Sequence, residues 1–182
     1  IIHWDGSNWS RFGPYGGIPN TVLNSVHCVT SSDCWAVGED SGGETIIHWD
    51  GSSWSRSGPY GGIPNTVLNS VHCVTSSDCW AVGEDSGGET IIHWDGSSWS
   101  RVGPYGGIPN KWLYSVHCMA ANDCWATGEK DGSSANMIHW DGSSWSAVSA
   151  PSLPNQDLHA IFITPGGAGG SVRLVQWTEI IQ

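Results

Sequence analysis

Three short runs concentrate the side chains that do chemistry in this sequence. Ser25 to Asp40 reads SVHCVTSSDCWAVGED, Ser70 to Asp85 repeats it unchanged, and Ser115 to Asp131 is a drifted copy. Each run sets a His beside a Cys, a second Cys after a short polar stretch, then a Trp and an acidic tail. Imidazole and thiolate together are zinc ligands. Neighbouring residues of a strand point to opposite faces, however, so His27 and Cys28 do not converge easily on one ion. Facing positions of an antiparallel hairpin lie about 4.5 to 5.5 Å apart, within disulfide reach. Cys28 with Cys34, Cys73 with Cys79 and Cys118 with Cys124 are therefore expected to be disulfides, with zinc ligation and free buried thiols as the alternatives. A fourth, degenerate copy reads Phe162 at the first Cys position and has no second Cys, a joint loss that suits pairing within each hairpin.

The remaining polar groups track the same repetition. His27, His72 and His117 form one equivalent set, and His3, His48, His93 and His139 form another. The first set is expected either to line a channel, where it could hold an ion or sense pH, or to hydrogen-bond a neighbouring repeat. Asp5, Asp50, Asp95 and Asp141 precede Gly and belong first to turns. Glu39 with Asp40 and Glu84 with Asp85 offer oxygen ligands for Ca²⁺ but lack the spaced pattern of a dedicated loop, and a solvated acidic rim is the simpler reading. Neither a metal nor a cofactor is expected. The loop GPYGGIPN sets Tyr15, Tyr60 and Tyr105 at equivalent points. With Trp112 and Tyr114 of the diverging third copy, they are the candidate ligand-binding residues. The single N-x-S sequon, Asn8-Trp9-Ser10, matters only in a host that glycosylates it.

These groups must be held by a repeating scaffold. IIHWDGS begins at Ile1, Ile46 and Ile91, and MIHWDGS begins at Met137. That period of about 45 residues is the length of a four-stranded propeller blade. Within a repeat, NSVHCVT and DCWAVG flank a polar turn, and TIIHWD and SWSRV flank DGSS, so each pair reads as a β-hairpin. We call these strands A (SVHCV), B (CWAVG), C (TIIHW) and D (SWSRV). The chain opens on C and D and closes on a degenerate A and B, from Leu158 to Trp177. The expected fold is all-β: a four-bladed β-propeller in one domain, residues 1–182, with one blade shared between the N- and C-terminal hairpins. A split blade of this kind can also form between chains. The tryptophan pairs flanking the DGS turns, Trp4/Trp9, Trp49/Trp54, Trp94/Trp99 and Trp140/Trp145, offer indole faces to a sugar, but cross-strand packing is the stronger expectation.

Composition narrows the partners. Six Lys and Arg against 17 Asp and Glu leave a net charge of -11, which repels phosphate backbones and anionic membrane surfaces. No run of 18 apolar residues is present to span a bilayer. The absence of an initiator Met and of a signal peptide suggests a mature or trimmed product. The run LNSVHCVTSSDCWAVGED, followed by TIIHWDGSSWSRVGP, resembles secreted bacterial propeller repeats that carry W-A-V-G and then H-W-[ND]-G-x-x-W. That resemblance implies a kelch or galactose-oxidase-like propeller architecture and export. Three functions are consistent with these features. The first is a secreted, non-catalytic module that binds or adheres through several copies of one site, with cell-surface glycans or proteins as partners. The second is a structural extracellular subunit that polymerises through its chain ends. The third, and least favoured, is a polysaccharide-active enzyme, because nearly identical blades present like groups in a ring rather than the unlike groups a catalytic centre needs.

Overall fold

The computed structural model describes residues 1–11, 21–40, 43–57, 66–85, 88–102, 112–131, 134–148, 157–164 and 171–175. Its regular elements are all strands, and they follow the repeat. A first hairpin pairs β1 (Ile2–Trp4) with β2 (Trp9–Arg11). Three antiparallel four-stranded sheets follow, which we call blades 1 to 3. Blade 1 comprises β3 (Val22–Thr30), β4 (Asp33–Asp40), β5 (Gly43–Trp49) and β6 (Trp54–Arg56). Blade 2 comprises β7 (Val67–Thr75), β8 (Asp78–Asp85), β9 (Gly88–Trp94) and β10 (Trp99–Arg101). Blade 3 comprises β11 (Leu113–Ala120), β12 (Asp123–Asp131), β13 (Ser134–Trp140) and β14 (Trp145–Ala147). A last hairpin pairs β15 (Ala160–Thr164) with β16 (Ser171–Val175). The architecture is the expected all-β propeller of repeated four-stranded blades. The fourth blade is present as two halves, because β1–β2 and β15–β16 form separate two-stranded sheets among the described residues. Ile1 packs on the front of blade 1, whereas β15 lies against β11 at the back of blade 3, so the halves are seated at opposite ends of the stack.

Each hairpin is fixed by its turn. In Asp-Gly-Ser-Ser the Asp50 Oδ1 accepts hydrogen bonds from the Ser52 and Ser53 amides at 2.8 Å, and the Ser52 hydroxyl donates to it at 2.7 Å. The Ser52 hydroxyl and the two amides hold the Asp50 carboxyl down to about 2, and Asp95 and Asp141 behave alike. Gly51 sits at φ +93°, where a side chain is strained, which explains the invariable DG of this turn. The A/B hairpin is clamped covalently. Cys28–Cys34, Cys73–Cys79 and Cys118–Cys124 are disulfides joining directly facing residues, with Cα separations of 4.0, 3.9 and 3.9 Å. They point to an oxidising setting. Each closes a small loop, so converting Cys73 and Cys79 together to Ser should cost roughly 2 kcal/mol on the chain-entropy account. Thermal unfolding with and without reductant measures it, and only the parent protein should respond to reduction at this bond.

The glycine of W-A-V-G has a structural cause. In each blade the A/B ladder shifts register at two points, one beside the turn and one farther along, between Leu23 and Ser25, Leu68 and Ser70, or Leu113 and Ser115. The second is the one that meets the glycine. At that bulge strand A crosses so close that a Cβ on Gly38, Gly83 or Gly128 would lie 1.9 Å from a carbonyl oxygen of Val22, Val67 or Trp112. The extra residue of a bulge re-aims its side chain. Asn24 uses this to reach the next blade, donating from Nδ2 to Leu68 O at 2.9 Å, and Asn69 does the same to Leu113 O.

Blades stack through one repeated interface. Trp35, Val37 and Ile46 of blade 1 pack on Leu68, Val71, Ala81, Ile92 and Trp99 of blade 2. Trp80, Val82 and Ile91 repeat the contact with blade 3. Full burial of each aliphatic side chain contributes about 1.5 to 3 kcal/mol. Polar groups align the A strands: Ser25 Oγ accepts from Val71 N at 3.2 Å, Ser70 Oγ from Val116 N, and Ser115 Oγ from Ile161 N. The last bond corrects the alignment of the degenerate copy. Ile161 occupies the place of Val116, so Phe162 stands at the His117 position and Ile163, not Phe162, at the Cys118 position.

Candidate functional site

The strand-A histidines form a row along the inner strands. His27 and His72 rings lie 4.3 Å apart, His72 and His117 lie 4.4 Å apart, and Phe162 continues the row at 5.2 Å from His117. His27 Nδ1 accepts from Cys73 N at 3.2 Å and His72 Nδ1 from Cys118 N at 3.3 Å. An acceptor Nδ1 belongs to the neutral ring protonated at Nε2. Burial, then the neighbouring His27 and His117, push His72 down to about 3, and burial lowers His27 and His117 in the same direction. Of the two expectations for this set, the row meets the second: these rings hydrogen-bond the next blade. Among the described residues no group of three His, Cys, Asp or Glu is placed to hold a metal ion.

The strand-C histidines build a different feature, at the seams between blades. His48 Nε2 lies 2.7 Å from Asp33 Oδ1, His93 lies 2.8 Å from Asp78, and His139 lies 2.9 Å from Asp123. Antiparallel register sets Trp35 opposite His48, and their rings sit 4.3 Å apart, so the indole covers one imidazole face. The next blade closes the other side. Trp94 and Trp99 approach Trp35 at 4.8 and 5.3 Å, the second edge-on, and Trp140 and Trp145 approach Trp80 at 4.8 and 5.4 Å. Over the first seam lies a groove of about 540 Å³ lined by Asp33, Trp35, His48, Ser55, Arg56, Ser57, Ser76, Trp94, Gly96, Ser97, Ser98 and Trp99. Arg56 at its mouth is paired with Asp40, and Arg101 with Asp85 at 2.5 Å. The acidic tails expected as a solvated rim are thus partly neutralised by the strand-D arginines. Chemically the groove offers hydroxyls, a carboxylate-oriented imidazole and a guanidinium around a wall of packed indoles. That is a hydrogen-bonding surface, because Trp54, Trp99 and Trp145 are buried and their faces are used by other rings.

Of the residues proposed from sequence, Tyr15, Tyr60 and Tyr105 lie outside the described residues. Trp112 and Tyr114 fall together at the start of strand A of blade 3. Trp112 is exposed. Tyr114 takes the place of Asn24 and Asn69 and stacks on His159 with centroids 4.9 Å apart and planes 8° from parallel. Burial, with the nearby charges of Asp157, Glu129 and Glu84, pushes its hydroxyl up to about 12. Sequence reasoning missed the seam groove, although it left a signal: Asp33-x-Trp35 followed by His48 recurs as Asp78-x-Trp80 with His93 and Asp123-x-Trp125 with His139. The spacing alone does not show that the groove's other wall comes from the following blade.

No family model matches this chain. No curated protein matches it either. Among solved structures, "YCF48 bound to D1 peptide" superposes with a TM-score of 0.60 at 16% identity, covering 81% of this chain and 46% of that one. "YCF48 from Cyanidioschyzon merolae" superposes with a TM-score of 0.59 at 14% identity, covering 89% of this chain and 59% of that one. The chain thus spans about half the length of the solved proteins it is similar to, and what it shares with YCF48 is the β-propeller fold.

Proposed function

We propose that this chain is a secreted, non-catalytic binding propeller that presents one polar groove repeatedly to a long ligand, with cell-surface glycans as the target class. The observation that carries the reading is the recurrence of the seam. The pairs Asp33–His48 and Asp40–Arg56 of blade 1 recur as Asp78–His93 and Asp85–Arg101 of blade 2, and Trp94 and Trp99 stand against Trp35 as Trp140 and Trp145 stand against Trp80. Equivalent sites on one rigid body gain avidity over a single site by roughly 10² to 10⁴, and a polymer of repeating sugars is a ligand able to use them. Three disulfides suit a protein working outside the reducing cytosol. A glycan array followed by surface plasmon resonance tests it. Replacing Arg56 by Ala should weaken binding several-fold, and replacing Arg56 and Arg101 together should weaken it by about 10²-fold, in line with loss of avidity. An array without binders would end the glycan reading.

A second reading is favoured by one specific observation, the solved structure of YCF48 bound to a peptide. A peptide ligand would use the same groove hydroxyls, and the exposed Trp112 beside Tyr114 would supply an apolar anchor. A peptide library displayed against the chain separates the readings. Weakening by Trp112→Ala with Arg56→Ala silent would assign binding to the blade 3 rim.

A further inference from the structure

The seam between blades 1 and 2 and the seam between blades 2 and 3 share a scaffold and differ in two side chains. Twelve residues line the groove at the first seam, and ten of them recur unchanged at the equivalent places of the second. The exceptions are Ser57, whose counterpart is Val102, and Ser76, whose counterpart is Ala121. Main-chain placement is the same at both. Ser57 N donates to Ile46 O at 3.0 Å, and Val102 N donates to Ile91 O at 3.0 Å. Ser76 O accepts from the Trp94 indole N–H at 3.1 Å, and Ala121 O accepts from the Trp140 indole N–H at 3.1 Å. The backbone thus offers two hydroxyls to the first seam and a branched alkyl group and a methyl to the second. Val102 is partly buried and packs on the apolar cluster that joins blades 2 and 3. The Ser57 place also varies where the repeats otherwise do not. Residues 1–45 and 46–90 differ only at Asn8/Ser53 and Phe12/Ser57, and the four copies read Phe12, Ser57, Val102 and Val148.

We infer that the two seams select different units of one glycan, with Ser57 and Ser76 setting the first seam for a fully hydroxylated sugar and Val102 and Ala121 setting the second for a sugar that carries a methyl group. The inference rests on the glycan-binding reading and names the ligand class within it. The groups common to both seams do not discriminate between them, because the Asp–His pair, the arginine and the packed indoles are the same at each. Selection falls to the two side chains that change. Serine hydroxyls pair with a sugar hydroxyl, and a sugar lacking it leaves them without that partner. Val102 and Ala121 return nothing to a hydroxyl, whereas a methyl laid on them leaves water and is favoured by about four-fold, the worth of one buried methylene. A pyranose carries such a methyl in two ways, as the deoxygenated C6 of a 6-deoxyhexose or as the end of an acetamido group. Neighbouring seams on one rigid body then match a heteropolymer in which the two kinds of unit occur together.

Two-dimensional NMR of the 182-residue chain reads the seams separately, because the Trp94 and Trp140 indole N–H groups bond to the residues at issue, Ser76 and Ala121. Two matched pairs of methyl glycosides are titrated to near saturation: L-mannoside against L-rhamnoside, which differ only in the C6 hydroxyl, and glucoside against N-acetylglucosaminide. In at least one pair the hydroxylated member should bind more tightly at Trp94 and the methyl-bearing member more tightly at Trp140, by about four-fold. The pair that responds names the source of the methyl. Exchanging the side chains tests cause. Ser57→Val with Ser76→Ala should give the first seam the preference of the second, and Val102→Ser with Ala121→Ser should do the reverse. Each variant installs residues that another blade already carries at that place, so the fold should be retained, which far-UV circular dichroism checks. The same ranking at both indoles, or a ranking that the exchanges leave in place, would overturn this inference and leave the glycan reading standing. Silence of both indoles toward all four glycosides would overturn the two together.

Discussion

Gly83→Ala should cost on the order of 3 kcal/mol or more, at the upper end of what an inserted methyl does to a packed interior. For a chain of this length that corresponds to roughly 10 °C in melting temperature. The reason is geometric. The added Cβ meets Val67 O at 1.9 Å and the Leu68 backbone at 2.9 Å, and these are main-chain atoms held by the ladder on one side and by Asn24 on the other. No rotamer change relieves the overlap, so the bulge must open and the inter-blade hydrogen bond of Asn24 must lengthen. Gly6→Ala is the control. It sits at positive φ, +99°, but a Cβ there meets nothing within 4 Å, so only the backbone strain of about 1 kcal/mol remains. Thermal melts of both proteins measure the difference. Equal losses would show that the strand crossing at the bulge yields more easily than its hydrogen bonds imply.

Acid should destabilise the stack well above the range where carboxylates protonate. The folded-state pKa of His72 is depressed from 6.5 to about 3, first by burial and then by His27 and His117. The unfolded chain therefore takes up a proton below pH 6.5 that the folded chain refuses. Its contribution is fully present above pH 6.5 and is lost progressively as pH falls toward about 3. Each tenfold difference in proton affinity between the two states corresponds to about 1.4 kcal/mol. Discounted for the part of the ring that water reaches, His72 alone should remove about 2 kcal/mol between pH 7 and pH 4. His27 and His117 act in the same direction. Asp50, Asp95 and Asp141, held at about 2, add their effect only at lower pH. Protonation at Nδ1 also abolishes the acceptor for Cys118 N, so the loss is concentrated at the seam between blades 2 and 3. His72→Phe, which copies the natural Phe162 two blades further on, should be less stable at pH 7 and show a flatter decline toward pH 4. An unchanged slope would locate the acid sensitivity elsewhere.

Both predictions turn on residues whose repetition is visible in the sequence and whose reason is not. The glycine of W-A-V-G reads as part of a motif, and only the register shift at Leu68 and Ser70 shows that strand A passes where its side chain would be. The histidine of SVHC reads as a channel residue or a hydrogen-bonding one. Its neighbours on the adjacent blade decide between them, and those lie about 45 residues away in sequence. The degenerate last copy shows the same limit. Without a Cys to anchor the alignment, Phe162 reads one residue out of step, and the hydrogen bond from Ile161 to Ser115 restores the phase. The seam groove is the largest omission, because half its lining belongs to a different repeat.

What is local and periodic was legible from the residues alone. The 45-residue repeat, the hairpins, the DG turns and the pairing of each Cys with its facing partner all follow from short-range spacing, where alternation of side chains and turn chemistry leave few choices. Packing in three dimensions set everything that one blade does to the next: the neutral histidine row, the Asp–His pairs roofed by a neighbour's tryptophans, and the unequal burial of identical residues at the two ends. The physical reason is that burial and hydrogen bonding depend on what lies across the seam. Trp9 and Trp54 are the same residue in the same hairpin, and only the presence of a packed neighbour makes one exposed and the other core.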